Sequence, residues 1–177
     1  MERHHDQQAA APTILAWAKH VPADASVLDV AAGSGRHARL FAERGHAVTA
    51  VDRDVTALRQ AAIPGVEVVE ADLERAPWPL QGRTFGAVVV VNYLWRPLLP
   101  RLIASVQPGG LLLYETFAVG NERFGRPSNP DFLLRPDELV DAVRDACTVL
   151  DYAHGEVGEP PSAVRQRLLA RRTLHAG

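Results

Sequence analysis

The chain has 177 residues, 47% of them hydrophobic, which is enough for one sizeable core, and no shift in composition marks a second one. Lysine and arginine together number 19 against 21 acidic residues, so the net charge of −2 provides no basic field to hold a nucleic acid. No apolar run approaches the roughly 20 residues of a membrane span, and the N-terminal stretch lacks the apolar segment of a secretory signal. We therefore expect one cytoplasmic domain over residues 1–177, with residues 1–12 flexible.

The first half of the chain predicts strands that alternate with helices. Apolar residues at helical spacing predict helices, and short apolar runs between turn formers predict buried strands. In chain order these are a helix over 13–20, a strand over 26–30, a helix that ends at Gly45, a strand over 46–52, a helix capped by Asp54, and a strand over 64–73 that ends near Asp72. A glycine-rich turn joins the first of these strands to the helix after it.

The second half continues this alternation and then breaks it. In chain order the elements are a strand over 84–94, a helix from Pro97 or Pro100 to Val106, a strand over 111–117, a long loop over 118–135, a helix from Asp137 to about Ala146, and two strands over 147–157 and 162–172. Strands and helices in alternation form a parallel sheet covered on both faces, and two last strands without a crossover helix form an antiparallel hairpin. The predicted fold class is α/β, a doubly wound, mostly parallel seven-stranded Rossmann-like sheet with a C-terminal antiparallel hairpin.

The glycine-rich turn has the pattern of a nucleotide-binding site. Gly33, Gly35 and Ala38 satisfy G-x-G-x-x-G/A. Asp52 lies 19 residues after Gly33, where a dinucleotide-binding fold keeps the acid that binds ribose. NAD, ATP and S-adenosylmethionine would all use such glycines, helix N–H groups and acid in the same way, so the turn alone does not choose between them.

Three further features distinguish these cofactors. Asp29 stands inside the first strand, four residues before Gly33, where dinucleotide folds carry an apolar residue. Asp52, Asp72 and Asn92 follow at intervals of 20 residues, each at the end of a predicted strand, where open α/β sheets bind ligands. The chain also closes with "QPGGLLLYE", a helix and a hairpin. Together, "LDVAAGSG" and this architecture resemble class I S-adenosylmethionine-dependent methyltransferases.

The resemblance implies a cofactor and the residues that bind it. It implies S-adenosylmethionine, with S-adenosylhomocysteine as product, and it assigns the ribose to Asp52, the adenine to Asp72 and the methionine side to Asn92. The implied cofactor-binding residues are Asp29, Ala31, Gly33, Ser34, Gly35, Asp52, Arg53, Asp72, Leu73 and Asn92. Among them, we expect Asp29 to brace the turn through backbone N–H groups rather than to touch the ligand.

Within that family the chain is most similar to small bacterial methyltransferases of the tellurite-resistance type, which act on small molecules. The sequence Asn92-Tyr93-Leu94-Trp95 lacks the Asn-Pro-Pro-aromatic motif of enzymes that methylate DNA amino groups. We therefore expect a small-molecule methyl acceptor and no nucleic acid or membrane partner.

Candidate active-site residues lie at the ends of the fourth and fifth strands and in the loop that follows. Tyr93, Tyr114 and Glu115 would form the wall over the methyl group, and Glu115 is the acid that could serve an oxygen or nitrogen nucleophile as a base. Residues 118–135 would cover the substrate, with Arg123 or Arg126 directed toward the acceptor. Solvated charge is the alternative interpretation of these two arginines.

Other conspicuous residues have ordinary structural interpretations. His37 has no second ligand nearby in the sequence and Cys147 is the only cysteine, so we predict no metal site and a core position for Cys147. The last arginines are expected on the solvated face of a strand and in the tail; they are Arg165, Arg167, Arg171 and Arg172. Two alternative functions stay open at this point, an oxidoreductase that uses NAD and a non-catalytic subunit that binds the cofactor.

Overall fold

A computed structural model describes residues 9–174 of the chain. Its centre is a seven-stranded sheet in the order β3-β2-β1-β4-β5-β7-β6. The strands are β1 Val27–Val30, β2 Val48–Asp52, β3 Val66–Glu70, β4 Phe85–Val91, β5 Val106–Phe117, β6 Cys147–Val157 and β7 Ala163–Arg172. Neighbouring strands among β1 to β5 pair in parallel, whereas β7 is antiparallel to both β5 and β6. The predicted fold class is confirmed.

Helices cover both faces of this sheet. They are α1 Pro12–Trp17, α2 Arg36–Glu43, α3 Thr56–Ala61, α4 Leu99–Ser105 and α5 Glu138–Val143. The first three bury side chains in one apolar cluster, and α4 and α5 bury theirs in another. β4 contributes to both clusters, because Val88 and Val90 point to one face while Val89 and Val91 point to the other. Burial on both faces explains why β4 is apolar throughout.

The order of the strands creates a switch point between β1 and β4. The chain runs from β1 to β2 and β3 on one side, and then crosses to β4 and β5 on the other. Open α/β sheets bind ligands in the crevice at the carboxyl ends of the strands at such a point. The residues directly after β1 and β4 are therefore the first place to look for a site.

The fifth strand is longer than the sequence predicted. The segment "QPGG" lies between the predicted helix to Val106 and the predicted strand over 111–117, but β5 begins at Val106 and includes it. The pairing with β4 shifts register between Phe85 and Ala87, which absorbs the extra residues as an irregularity in the strand. Gly110 belongs there because a Cβ on it would lie 2.8 Å from the carbonyl oxygen of Gly86. A turn-like sequence thus forms a bulge within a strand.

Three local predictions need correction. Of the predicted flexible residues 1–12, residues 1–8 lie outside the described part of the chain, but Ala11 is buried and Pro12 begins α1. Asp54 accepts the N–H of Thr56 as predicted, although it stands one position before the N-cap. Asp137 occupies the N-cap of α5, but its carboxylate accepts from the hydroxyl of Tyr152 at 3.0 Å instead of capping the helix.

Candidate active site

Three adjoining cavities open at the carboxyl edge of the sheet. The strand-end cavity, of about 350 Å³, is lined by Ala31, Asp52, Arg53, Ala71, Asp72, Leu73, Glu74, Tyr93 and Phe132. The glycine-turn cavity, of about 370 Å³, is lined by Ala31, Ala32, Gly33, Ser34, Arg36, His37, Val91 and Asn92. The loop cavity, of about 250 Å³, is lined by Glu74, Asn92, Tyr93, Leu94, Thr116, Phe117, Pro127 and Phe132.

Shared residues connect the three cavities into one trough. Ala31 lines the strand-end and the glycine-turn cavities, and Asn92 lines the glycine-turn and the loop cavities. Tyr93 and Phe132 line both the strand-end and the loop cavities. Most of the residues expected to bind a nucleotide cofactor therefore lie along one continuous surface, whereas Asp29 and Gly35 lie outside the linings.

The two glycines of the turn differ in what surrounds the position of a missing side chain. Both have positive φ, +57° at Gly33 and +84° at Gly35. A Cβ on Gly33 would meet nothing within 4 Å, so this position is open toward the glycine-turn cavity. A Cβ on Gly35 would lie 2.6 Å from Leu58, so Gly35 allows the turn to pack against α3. Gly33 thus leaves room for a ligand, and Gly35 serves packing.

Asp29 lies beneath the turn and is fully buried. It is 1% exposed, and its Oδ2 accepts the backbone N–H of Ala38 in α2 at 2.9 Å. Burial raises the pKa of this carboxyl from 3.8 to about 7, against the opposing effects of that hydrogen bond and of Arg36. The contact joins the first strand to the helix after the turn, which is the bracing arrangement expected from the sequence.

Asp52 is the last residue of β2, Asp72 follows the neighbouring strand β3, and both line the strand-end cavity. Asp52 accepts the N–H of Gly33 at 2.8 Å through Oδ2 and the N–H of Asp54 at 3.0 Å through Oδ1, so it also ties β2 to the glycine turn. Asp72 accepts the N–H groups of Glu74 and Arg75 through Oδ1 at 3.0 and 3.1 Å. Both carboxylates are held in place by backbone donors at the wall of the cavity.

The two tyrosines have different places in the structure. Tyr93 lines two cavities, and its hydroxyl oxygen is buried without a partner among residues 9–174. Burial raises the pKa of this hydroxyl, and the carboxylates of Glu74 and Asp72 raise it further, so the group stays protonated. Tyr114 is 1% exposed in the core and donates from its hydroxyl to the carbonyl of Tyr93 at 2.8 Å. Tyr114 therefore holds the backbone of Tyr93 and is not part of the wall that the sequence predicted.

Glu115 forms a buried ion pair that the sequence did not indicate. Its Oε1 lies 2.7 Å from Nε of Arg165, and the two side chains are only 9% and 11% exposed. Arg165 also lies over the ring of Phe117, 4.3 Å from the centroid, and donates to the side-chain oxygen of Asn92. The expectation of a solvated Arg165 is wrong, because β7 lies between β5 and β6 and this side chain is covered there.

The ion pair changes the expected role of Glu115. This carboxylate is not among the residues that line the three cavities. Burial lowers the pKa of Arg165, while Glu115 opposes that shift. Because Glu115 is paired with Arg165 and lines none of the cavities, the pair is a structural link that reaches Asn92 at the cavity wall.

The loop over residues 118–135 lies at the expected edge, but its arginines do not face the trough. Pro127 and Phe132 line the loop cavity. Arg123 donates to Glu156 of β6 at 2.9 Å and to the carbonyl of Gly120 at 3.1 Å. Arg126 is exposed and is not a lining residue. The prediction that one of these arginines points toward an acceptor is therefore wrong for Arg123, whose charge is bound to the hairpin.

Arg96 fastens this loop and was missed from the sequence. It forms a two-bond ion pair with Glu138, at 2.6 and 3.0 Å. It also donates to the carbonyls of Asp131 and Leu133, each at 2.8 Å. Those carbonyls flank Phe132, so Arg96 holds the residue that closes two cavities. An arginine before a proline carries no sequence signal for such a role.

His37 is a buried residue with a backbone partner. Its Nε2 accepts the backbone N–H of Ala11 at 3.1 Å. Burial lowers its pKa from 6.5 to about 4, and Arg36 adds to this effect. Cys147 is buried, as expected. Within residues 9–174, no three His, Cys, Asp or Glu side chains are grouped closely enough to hold a metal, and no helix is long and apolar enough to cross a membrane.

The strand order and the reversed β7 are those of the Rossmann-like methyltransferase fold. Residues 27–110 match the family model described as "Methyltransferase domain". The matched segment begins at the first residue of β1 and ends within β5. It therefore contains the glycine turn and all three polar residues that end β2, β3 and β4.

Comparisons with known proteins agree with this family match. Malonyl-[acyl-carrier protein] O-methyltransferase of Serratia marcescens is 34% identical over 106 residues, which cover 54% of this chain and 39% of that protein. TehB from Haemophilus influenzae has a TM-score of 0.75 at 18% identity, covering 96% of this chain and 64% of TehB. The 1,6-didemethyltoxoflavin-N1-methyltransferase of Burkholderia thailandensis has a TM-score of 0.69 at 22% identity, covering 92% of this chain and 77% of that one.

These comparisons confirm the resemblance that the sequence predicted. The chain has the methyltransferase fold, and its residues 27–110 match the methyltransferase-domain model. It spans about two fifths of the length of the Serratia relative. The structure of the Burkholderia enzyme contains 1,6-didemethyltoxoflavin and S-adenosylhomocysteine.

Proposed function

We propose that this chain binds S-adenosylmethionine and transfers its methyl group to a small-molecule acceptor, releasing S-adenosylhomocysteine. The observation that carries the proposal is the trough itself. Along it lie Asp52, Asp72 and Asn92, at the carboxyl ends of β2, β3 and β4, together with the glycine turn. The family match over residues 27–110 supports the same function.

The residues of the trough fit this cofactor. The Asp52 carboxylate suits two ribose hydroxyls, and Asp72 and Leu73 beside it suit the adenine ring. Gly33 has open space where a side chain would stand, and Asn92 lies at the other side of the same cavity. The methionine end then lies in the glycine-turn cavity, and the loop cavity is left for the acceptor.

The protein contributes mainly binding and orientation to this reaction. The cofactor supplies an activated methyl group. Transfer of this group needs a nucleophile that is aligned with the methyl carbon at a distance of roughly 3 Å. Tyr93 keeps its proton and Glu115 is paired with Arg165, so neither is placed to act as a base at the cavities. Phe132 and Pro127 close the loop cavity and restrict the entry of water. We infer that residues 118–135 cover the acceptor through these two apolar residues and not through arginines.

The alternative functions receive less support. None of the matches reported above favours an oxidoreductase that uses NAD. A subunit that binds the cofactor without catalysis is distinguished from an enzyme by turnover of the purified chain. Cytoplasmic location and the absence of a nucleic-acid substrate stay predictions, which fractionation of cells and binding assays would test.

Calorimetry followed by a transfer assay tests the proposal. We expect S-adenosylhomocysteine to bind the purified chain and NAD to bind far more weakly or not at all. Transfer of labelled methyl from S-adenosylmethionine to a pool of metabolites would then reveal the acceptor. Tight binding of NAD with none of S-adenosylhomocysteine would contradict the proposal, and cofactor binding without transfer to any acceptor would favour the non-catalytic subunit.

A further inference from the structure

We propose that the acceptor site selects uncharged or cationic compounds that present an N–H group to Glu74, and that it discriminates against anionic acceptors. The inference rests on the proposed function, because it takes the loop cavity as the acceptor site. It concerns the charge and the hydrogen-bonding pattern of the acceptor, which neither the fold nor the family match specifies.

The lining of the loop cavity has one charged side chain. That side chain is Glu74, which is exposed and also lines the strand-end cavity. Four apolar side chains make up much of the remaining wall; they are Leu94, Phe117, Pro127 and Phe132. A cavity of about 250 Å³ with aromatic and aliphatic walls suits a small ring compound. The single carboxylate then determines which charge such a compound can carry.

Three arginines of the segments around the loop cavity are already bound to carboxylates. Arg165 is paired with Glu115, Arg96 with Glu138 and Arg123 with Glu156. None of the three lines the loop cavity. An anionic acceptor would therefore meet the carboxylate of Glu74 without a cation in the lining to balance it. A cationic acceptor would instead pair with that carboxylate.

The adjoining strand-end cavity adds to this negative character. Its charged lining residues are Asp52, Asp72, Glu74 and a single cation, Arg53. Glu74 stands where the two cavities meet, since it lines both. The electrostatic preference at the entrance to the loop cavity is therefore for positive or neutral groups.

The uncharged polar groups complement the carboxylate. The hydroxyl of Tyr93 has no partner among residues 9–174 and can donate a hydrogen bond. The side-chain oxygen of Asn92 is taken by Arg165, which leaves the Nδ2 hydrogens of Asn92 to donate as well. Glu74 only accepts. A matching acceptor has an N–H for Glu74 and a lone pair for Tyr93 or Asn92, as amines and nitrogen heterocycles do.

Three probes of equal size and different charge test the inference. Benzylamine, benzamide and benzoate are titrated into the complex of the protein with S-adenosylhomocysteine, and binding is measured by ligand-observed NMR. We expect benzylamine to bind at least about tenfold more tightly than benzoate, with benzamide between them. In Glu74→Gln the preference should fall to about threefold or less, and in Glu74→Lys it should reverse. The matched control Glu43→Gln, an exposed glutamate on α2 outside the cavities, should keep the wild-type preference.

Two further measurements locate the probe and separate the possible failures. Loss of benzylamine binding in Phe132→Ala would place the probe against Phe132, which lines the loop cavity and the strand-end cavity beside it, whereas unchanged binding would overturn the inference. Failure of the wild type to bind S-adenosylhomocysteine would overturn the proposed function itself. If S-adenosylhomocysteine binds, the inference is overturned by equal affinity for benzoate and benzylamine, by no affinity for benzylamine, or by a preference that survives Glu74→Gln.

Discussion

Arg165 donates a hydrogen bond to the side-chain oxygen of Asn92, although 73 residues separate the two in the chain. A guanidinium has no acceptor atom, so the amide of Asn92 must turn its oxygen toward Arg165 and its Nδ2 away from it. Asn92 itself has a positive φ of 57°, directly after β4. The contact therefore sets, from β7, the orientation of a polar group that lines two cavities, with only β5 between β7 and β4 in the sheet.

Loss of Arg165 should destabilise the protein, because Glu115 would stay buried without its partner. We expect Arg165→Met to lower the free energy of unfolding by about 3 kcal/mol, measured by chemical denaturation. The control Arg171→Met removes an exposed arginine of the same strand and should cost less than about 1 kcal/mol. Equal effects of the two substitutions would show that the buried pair contributes nothing specific.

Asp52 should be the most sensitive position for the cofactor. Removing its carboxylate deletes the expected ribose contacts and releases the N–H of Gly33, so we expect Asp52→Ala to weaken binding of S-adenosylhomocysteine at least about tenfold. Calorimetry measures the change. Asp54→Ala is the control, because Asp54 accepts from Thr56 and lines none of the three cavities. Its affinity should stay within about threefold of wild type.

The two phenylalanines of the loop should differ in their effect on turnover. Phe132 is 45% exposed and lines two cavities, whereas Phe124 is 37% exposed and packs with Arg123. We expect Phe132→Ala to lower kcat/KM for the acceptor at least about tenfold, and Phe124→Ala to stay within about threefold. Steady-state methyl transfer measures both. A larger loss in Phe124→Ala would place the covering residues elsewhere in the loop.

Point substitutions test this loop better than a deletion does. Removing residues 120–129 would delete Asn121, which is buried and accepts the N–H of Val164 at 3.1 Å. It would also remove the hydrogen bond that Asn121 donates to the carbonyl of Pro127 at 3.0 Å. A deletion would therefore expose a strand of the sheet together with the cavity.

Asp29 should make stability fall as the pH rises. Its pKa is about 7 in the folded protein against 3.8 ordinarily, so the folded state holds a proton that the unfolded state releases over this range. The contribution is complete below about pH 4 and is lost as the pH approaches 7. The difference in unfolding free energy between wild type and Asp29→Asn should therefore decrease from pH 4 to 7 and stay level above it. If this difference did not change with pH, the pKa of Asp29 would not be raised in the folded protein.

His37 should act in the opposite direction over nearly the same range. Its pKa is about 4 when folded against 6.5 ordinarily, so protonation favours the unfolded state. Its contribution is complete above about pH 6.5 and is lost as the pH falls toward 4. The difference in unfolding free energy between wild type and His37→Gln should increase from pH 4 to 6.5. Denaturation series at fixed pH values measure it, and a difference that decreased would contradict the neutral, buried histidine.

The strands of the sheet and the positions of several residues of the trough depend on local sequence. These features could therefore be predicted. Short apolar runs define the strands because burial on both faces requires them, as Val88 to Val91 illustrate. Gly33, Asp52 and Asp72 could be expected to lie along one edge because each stands at or shortly after the end of a strand, and the carboxyl ends of parallel strands share one edge. The buried Asp29 was recognised from its position inside β1.

The remaining contacts depend on how distant segments meet, and only the tertiary structure decided them. Phe117 is the register partner of Arg165 across β5 and β7, and this pairing brings the guanidinium to Glu115 and Asn92. A shift of the register would move every side chain of β7 relative to β5, and no short-range pattern specifies that register. The course of residues 118–135 in the folded protein likewise brings the carbonyl of Asp131 to Arg96 and brings Arg123 to Glu156 of the hairpin. Sequence alone thus determined the sheet and the edge that carries the trough, whereas the ion pairs around the loop cavity followed from side chains that meet only in the folded chain.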